Sequence, residues 1–117
     1  MGKGGGIHVL SIADAEVAEL EGGKLISRRL VRRAHGSQRA SFNVTTIHEG
    51  FDDRAIRYEG HDEIFYVIAG EAEIDFDGGR HVLKPGMAVF VPEGCTYGYR
   101  VLRGPNEVVA VFTPARA

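Results

Sequence analysis

Tyr58-Glu59-Gly60-His61-Asp62-Glu63-Ile64-Phe65-Tyr66-Val67-Ile68-Ala69-Gly70 alternates with a period of two and ends at a glycine. Such alternation is the mark of a half-buried strand. Its first half is crowded with ionisable groups, which a merely structural strand does not need. A second segment follows at Pro85-Gly86-Met87-Ala88-Val89-Phe90-Val91-Pro92-Glu93-Gly94, a short strand between two breaks. Working outward, the same reading predicts strands over 7–10, 24–31, 41–48, 55–58, 63–68, 71–76, 81–83, 88–91, 96–102 and 108–113. Only residues 13–20 favour helix, through their Ala, Glu and Leu content and an acidic Asp14 near the start. Asp77-Gly78-Gly79 is a hairpin signal, and Lys84-Pro85-Gly86 a proline–glycine turn. Many short strands in one short chain predict an all-β single domain, a double-stranded jelly-roll barrel. Residues 1–6, glycine-rich, read as a flexible leader, and 7–117 as the barrel.

The bulk properties narrow the function. The chain has 117 residues, 44% hydrophobic and 26% charged, with a formal net charge of -2. That balance gives no general attraction to nucleic acid or acidic lipid. The basic run Arg28-Arg29-Leu30-Val31-Arg32-Arg33 reads as alternation along a strand, with one or two arginines turned inward. The single cysteine, Cys95, forms no internal disulfide and suits a reducing compartment, so a cytoplasmic protein is expected. No apolar run approaches the ~18 residues of a membrane span. The expected partner is a small molecule, with neither nucleic acid nor membrane involved. Exposed strand edges in such barrels are commonly covered by pairing, so a homodimer is expected.

Parity sorts the side chains. Glu63 shares a face with Phe65 and Val67, and Tyr97 with Tyr99 and Val101. Asn43 and Thr45 share a face with Ile47. Counting back through the turn, Arg57 and Glu59 have the parity of Glu63. An apolar cavity with a few such polar groups is the usual makeup of a small-molecule site.

The two segments resemble the paired signature of the cupins, small β-barrels that often hold a metal. A metal-binding cupin carries two histidines and a glutamate on the first segment and a third histidine beyond the second. In this chain Glu63 fills the glutamate position. Arg57, Glu59 and Tyr97 stand where the histidines would be. Two arrangements are open. In one, Glu59, His61, Glu63 and Tyr97 form a rebuilt ligand set for a divalent metal, iron foremost, with zinc or manganese as others. In the other, there is no metal, and Arg57, Glu63 and Tyr97 bind a ligand directly. An inward guanidinium repels a cation and attracts a carboxylate.

A closer resemblance rests on Ser27-Arg28-Arg29-Leu30, Ser41-Phe42-Asn43-Val44-Thr45-Thr46-Ile47, Tyr58-Glu59-Gly60-His61-Asp62-Glu63, Gly70-Glu71-Ala72-Glu73, Leu83-Lys84-Pro85-Gly86 and Val111-Phe112-Thr113-Pro114. In this order and spacing they are similar to ectoine synthase, a cupin-fold enzyme. The resemblance implies a dimeric, cytoplasmic, iron-dependent lyase. That family closes N-γ-acetyl-L-2,4-diaminobutyrate into a cyclic amidine with loss of water. It implies Glu63 as an iron ligand, and Arg29, Asn43, Thr45, Tyr58, His61 and Phe112 as substrate-pocket residues. The chain departs from the family elsewhere. The family's tyrosine ligand falls on or near Val89, its histidine ligand on Tyr97, and a pocket tryptophan near Leu25. A second, looser resemblance is to the cupins of ethanolamine utilisation, which lack the histidine cluster.

The expected function is therefore a small-molecule lyase or cyclising dehydratase of ectoine-synthase type. It acts on a carboxylate-bearing metabolite. Glu63 would be base or metal ligand, Tyr97 acid or ligand, and His61 an aid to proton transfer. Arg29 or Arg57 would hold the carboxylate. The alternative is a metal-free cupin module that binds or senses a small metabolite.

Overall fold

The computed structural model describes residues 6–116. Residues 1–5 of the expected leader lie outside the described residues, and Gly6 is exposed. Eight strands form one antiparallel sheet wrapped on itself: β1 (Glu16–Leu20), β2 (Leu25–Val31), β3 (Ser41–Ile47), β4 (Asp52–Ile56), β5 (Asp62–Phe76), β6 (Gly79–Leu83), β7 (Ala88–Val91) and β8 (Tyr97–Thr113). The order is β1-β2-β3-β8-β5-β6, with β4 added on β8 and β7 on β5. No helix among the described residues is long and apolar enough to cross a membrane.

Two long strands organise the barrel. β8 pairs with β3 through its second half, from Asn106 to Phe112, and with β4 through its first half. It also pairs with β5 along most of its length. The predicted strands 63–68 and 71–76 are one strand bent at Gly70, and 96–102 and 108–113 are one strand bent near Gly104. Gly70 has φ +77°, and a Cβ there would lie 2.6 Å from the carbonyl oxygens of Arg103 and Pro105. Only glycine tolerates both the left-handed backbone and that close approach. The bend lets β5 follow the curvature of β8.

Two expectations at the N-terminal end are corrected. The predicted helix over 13–20 is a single 3-10 turn, Ile12–Asp14, capped by the Ser11 hydroxyl. It is followed by β1, which pairs with β2. A helix this short is marginal alone, whereas the edge of β2 offers unpaired backbone groups. The predicted strand over 7–10 is not formed, and these residues find no partner strand among the described residues. Ile7 and Val9 are exposed.

The core follows the predicted parity. Phe65, Val67, Ile74, Tyr97, Tyr99, Val101 and Phe112 are buried and packed together.

Candidate active site

One end of the barrel holds a cavity of about 130 Å³. β2 contributes Leu25, Ser27 and Arg29 to it, and β3 contributes Asn43, Thr45 and Ile47. These are alternate residues of paired strands, and the register sets Arg29 against Asn43, Ser27 against Thr45 and Leu25 against Ile47. β5 adds Glu63 and Phe65, and β8 adds Tyr97 and Tyr99 from its first half and Val108, Ala110 and Phe112 from its second. Glu63 lies opposite Phe112. Arg116 closes the set from beyond β8.

Glu63 is the chemical centre. It is 6% exposed. The Tyr97 hydroxyl donates to its Oε1 at 2.8 Å. Burial raises the Glu63 carboxyl to about 7; the Tyr97 hydrogen bond and the Arg116 charge pull it only partly back. A carboxyl in an apolar pocket loses the hydration that favours its charged form. The same burial, with Glu63 beside them, drives the Tyr97 and Tyr99 phenols well above the ordinary tyrosine range. Tyr58 is pushed up to about 12 by burial and by Glu63. The three phenols therefore stay protonated at neutral pH, and Tyr97 and Tyr99 act as donors. Tyr99 spends its hydroxyl on Asn106, whose amide in turn donates to the Ala69 carbonyl. Phe65 stacks on Tyr97 with ring centroids 6.2 Å apart, which fixes the Tyr97 ring.

Of the residues singled out in the sequence, Arg29, Asn43, Thr45, Tyr58, Glu63, Tyr97 and Phe112 converge on this cavity. Arg57 and Glu59 do not: they pair with each other at the exposed surface. The turn at Gly60, with φ +79°, breaks the parity counted through it. As a result Ile56 and Tyr58, the neighbours of Arg57, are the residues that face inward. His61 is also outside the cavity lining. Its Nδ1 donates to the Pro114 carbonyl at 2.8 Å, and its ring meets Phe112 edge-on. Arg116 was not legible as a site residue. Its guanidinium lies 4.6 Å from the Tyr58 ring centroid and 5.1 Å from that of Phe112. No spacing rule carries a residue from beyond the last strand back over the cavity mouth.

The residues present do not fit a metal of the kind cupins often hold. Among the described residues Glu63 is the single carboxylate lining the cavity, no imidazole joins it, and two guanidiniums share the space. The expected set of Glu59, His61, Glu63 and Tyr97 is dispersed, because Glu59 is exposed and His61 is turned to Pro114. Among the described residues no group of three or more His, Cys, Asp or Glu could hold a metal ion. Val89, at the position of the ectoine-synthase tyrosine, is an aliphatic residue packed against the core. The Tyr97 hydroxyl is engaged as a hydrogen-bond donor to Glu63. The donor set suits an anionic or polar organic ligand instead.

Comparison with known proteins agrees with the fold and with the resemblance in sequence. The chain is 34% identical over 76 residues to the L-ectoine synthase of Vibrio campbellii, covering 63% of this chain and 59% of that protein. It is 31% identical over 61 residues to the pectin degradation protein KdgF of Dickeya dadantii, covering 52% of this chain and 56% of that protein. It thus spans less than two thirds of the length of these relatives. Among solved structures, ectoine synthase from P. lautus superposes with a TM-score of 0.72 at 32% identity, over 83% of this chain and 69% of that one. KdgF from Halomonas sp. shares the fold with a TM-score of 0.82 at 20% identity, over 95% and 96%. The cupin domain pattern matches residues 43–113, which span β3 to β8 and most of the cavity wall. The chain belongs to the cupin family and is related within it to the ectoine synthases.

Proposed function

We propose that this cupin is an enzyme of ectoine-synthase type that works by acid–base chemistry, a lyase or cyclising dehydratase for a small carboxylate-bearing metabolite. The observation that carries the reading is Glu63, buried, hydrogen-bonded by Tyr97 and raised to about 7, in a cavity that also holds Arg29 and Arg116. A general base is most effective when its pKa lies near the working pH. In an intramolecular amide cyclisation the amine attacks the carbonyl carbon, and the carbonyl oxygen leaves as water. Two protons pass in turn from the attacking nitrogen to the oxygen through Glu63, the first as the C–N bond forms and the second as the C–O bond breaks, leaving a C=N bond and water. Tyr97 holds Oε1, so the carboxylate keeps a fixed orientation through both transfers. Ile47, Phe51, Phe65 and Val108 give the same space apolar walls, which strengthen the electrostatic interactions inside it.

The test is water loss from N-γ-acetyl-L-2,4-diaminobutyrate and related N-acylated amino acids, followed by mass spectrometry with and without chelator. Glu63→Gln should abolish turnover while leaving the circular dichroism spectrum unchanged. Full activity in that variant would remove Glu63 from the mechanism. The donor set predicts that chelator leaves the rate unchanged. The lack of any cavity histidine also favours a second reading, a metal-free module that binds such a metabolite without changing it. Ligand recovered intact from the wild-type protein would select that reading. In either case we place the protein in the cytoplasm as a homodimer, which its single exposed cysteine and its exposed apolar sheet face support.

A further inference from the structure

The segment after β8 is tied down by several hydrogen bonds. His61 Nδ1 donates to the Pro114 carbonyl at 2.8 Å. The Ala115 amide donates to the Gln38 carbonyl at 3.2 Å, and Arg33 donates to the Ala115 carbonyl at 2.6 Å. The Arg116 amide donates to the Ser41 hydroxyl at 3.1 Å. Ala115 itself is fully buried. These contacts fix the backbone from Pro114 to the Arg116 amide, and the Arg116 guanidinium lies over the Tyr58 and Phe112 rings, at the cavity mouth. Arg116 has no carboxylate partner among the described residues, although the chain is rich in surface ion pairs. A cation held over aromatic faces keeps its planar donor fork free.

Two further groups in the same cavity lack adequate partners. Arg29 reaches only the half-exposed Glu16, at 3.6 Å. Asn43 is 8% exposed, and its Oδ1 has no hydrogen-bond partner. A buried carbonyl oxygen without a donor is costly and points to a ligand that supplies one.

We propose that Arg116 is the specificity-determining residue of the site: with Arg29 it clamps the carboxylate of the ligand, while Asn43 Oδ1 accepts from an N–H of the same molecule. That chemistry fits the carboxylate-bearing metabolite proposed above, and Arg116 is what the inference adds to it. The tethers from His61 and Arg33 position Arg116 and touch no ligand. The inference rests on the cavity assigned above but not on the chemistry assigned to Glu63.

The probes are N-γ-acetyl-L-2,4-diaminobutyrate and N-acetylglycine, each titrated beside its own carboxamide. Binding is read by calorimetry and by the Arg116 Nε–H resonance. Wild-type protein should bind each carboxylate at least about tenfold more tightly than its carboxamide, with the Arg116 resonance shifting on binding. Arg116→Gln should weaken carboxylate binding about tenfold and leave the carboxamides unchanged. Arg116→Lys should be intermediate, and Arg103→Gln, at an exposed surface ion pair, should have no effect. Unchanged carboxylate affinity in Arg116→Gln, or no preference of the wild type for carboxylates, overturns the proposal. Carboxylate binding through Arg116 without turnover of any substrate would keep the clamp and remove the lyase reading. Turnover unaffected by Arg116→Gln would do the reverse.

Discussion

At the scale of the residue, the candidate site turns on one buried carboxyl. The folded protein holds the Glu63 proton more tightly than the unfolded chain, at about 7 against an ordinary 4.5. Stability from this difference is complete below the unfolded value and is lost as the pH rises through about 7. Glu63→Gln keeps the shape and cannot ionise. It should therefore be more stable than wild type at alkaline pH, by on the order of 3 kcal/mol, and the difference should vanish at pH 4 or so. Urea unfolding at two pH values checks this, and a pH-independent difference would mean that Glu63 titrates normally. Tyr97→Phe tests the partner. The Tyr97 hydroxyl stabilises the carboxylate form, so its loss should raise the Glu63 carboxyl further and move the acid limb of the pH–rate profile upward. The cost in stability should be about 1 kcal/mol. Glu63 and Tyr97 were legible in sequence because each lies on a strand of unbroken parity. Arg57 and Glu59 were misread because a glycine turn stands between them and that parity. Arg116 gave no signal, since its position depends on hydrogen bonds to segments far away in sequence.

At the scale of the element, the barrel depends on strands that bend without breaking. Alternation in the sequence located β2, β3 and β5 to β8 well. It could not tell a turn between two strands from a bend within one, because both are written with glycine. Gly70 shows which it is: β5 pairs with β8 on both sides of it. A Cβ at Gly70 would meet three backbone atoms of β8 within 2.7 Å and a φ of +77°. Gly70→Ala should thus destabilise by more than about 2 kcal/mol, from left-handed strain and forced strand separation together. Gly60→Ala has the same sign of φ but open space around it. It should cost no more than about 1–2 kcal/mol, the αL conformation alone. Similar losses at both positions would mean that backbone conformation, not contact with β8, sets the requirement at Gly70. β1 was misread for a different reason. Its helix-favouring composition was real, but pairing with the free edge of β2 outweighs a weak local preference in so short a segment.

At the scale of the whole molecule, parity that fills the core also dictates what stands on the outside. Along β5 the residues between Glu63, Phe65 and Val67 are Ile64, Tyr66 and Ile68, and all three are exposed. On the neighbouring β7, Phe90 is 60% exposed and is paired in register with Ile64. Large apolar side chains are normal singly on a surface, but a contiguous row across paired strands marks an interaction surface. The patch lies on the outer face of the sheet whose inner face carries Glu63. A second copy of the chain is the occupant that we expect, since a self-complementary apolar face serves both members of a two-fold pair. The prediction is a dimer by light scattering coupled to size exclusion, and a monomer for the double variant Tyr66→Asp with Phe90→Asp. Both side chains point away from the cavity, so carboxylate binding should survive in a folded monomer. A monomeric wild-type protein would leave the row of apolar residues for another partner. A dimer untouched by the double variant would move the interface to the strand edges, where β1 and the exposed Ile7 and Val9 stand.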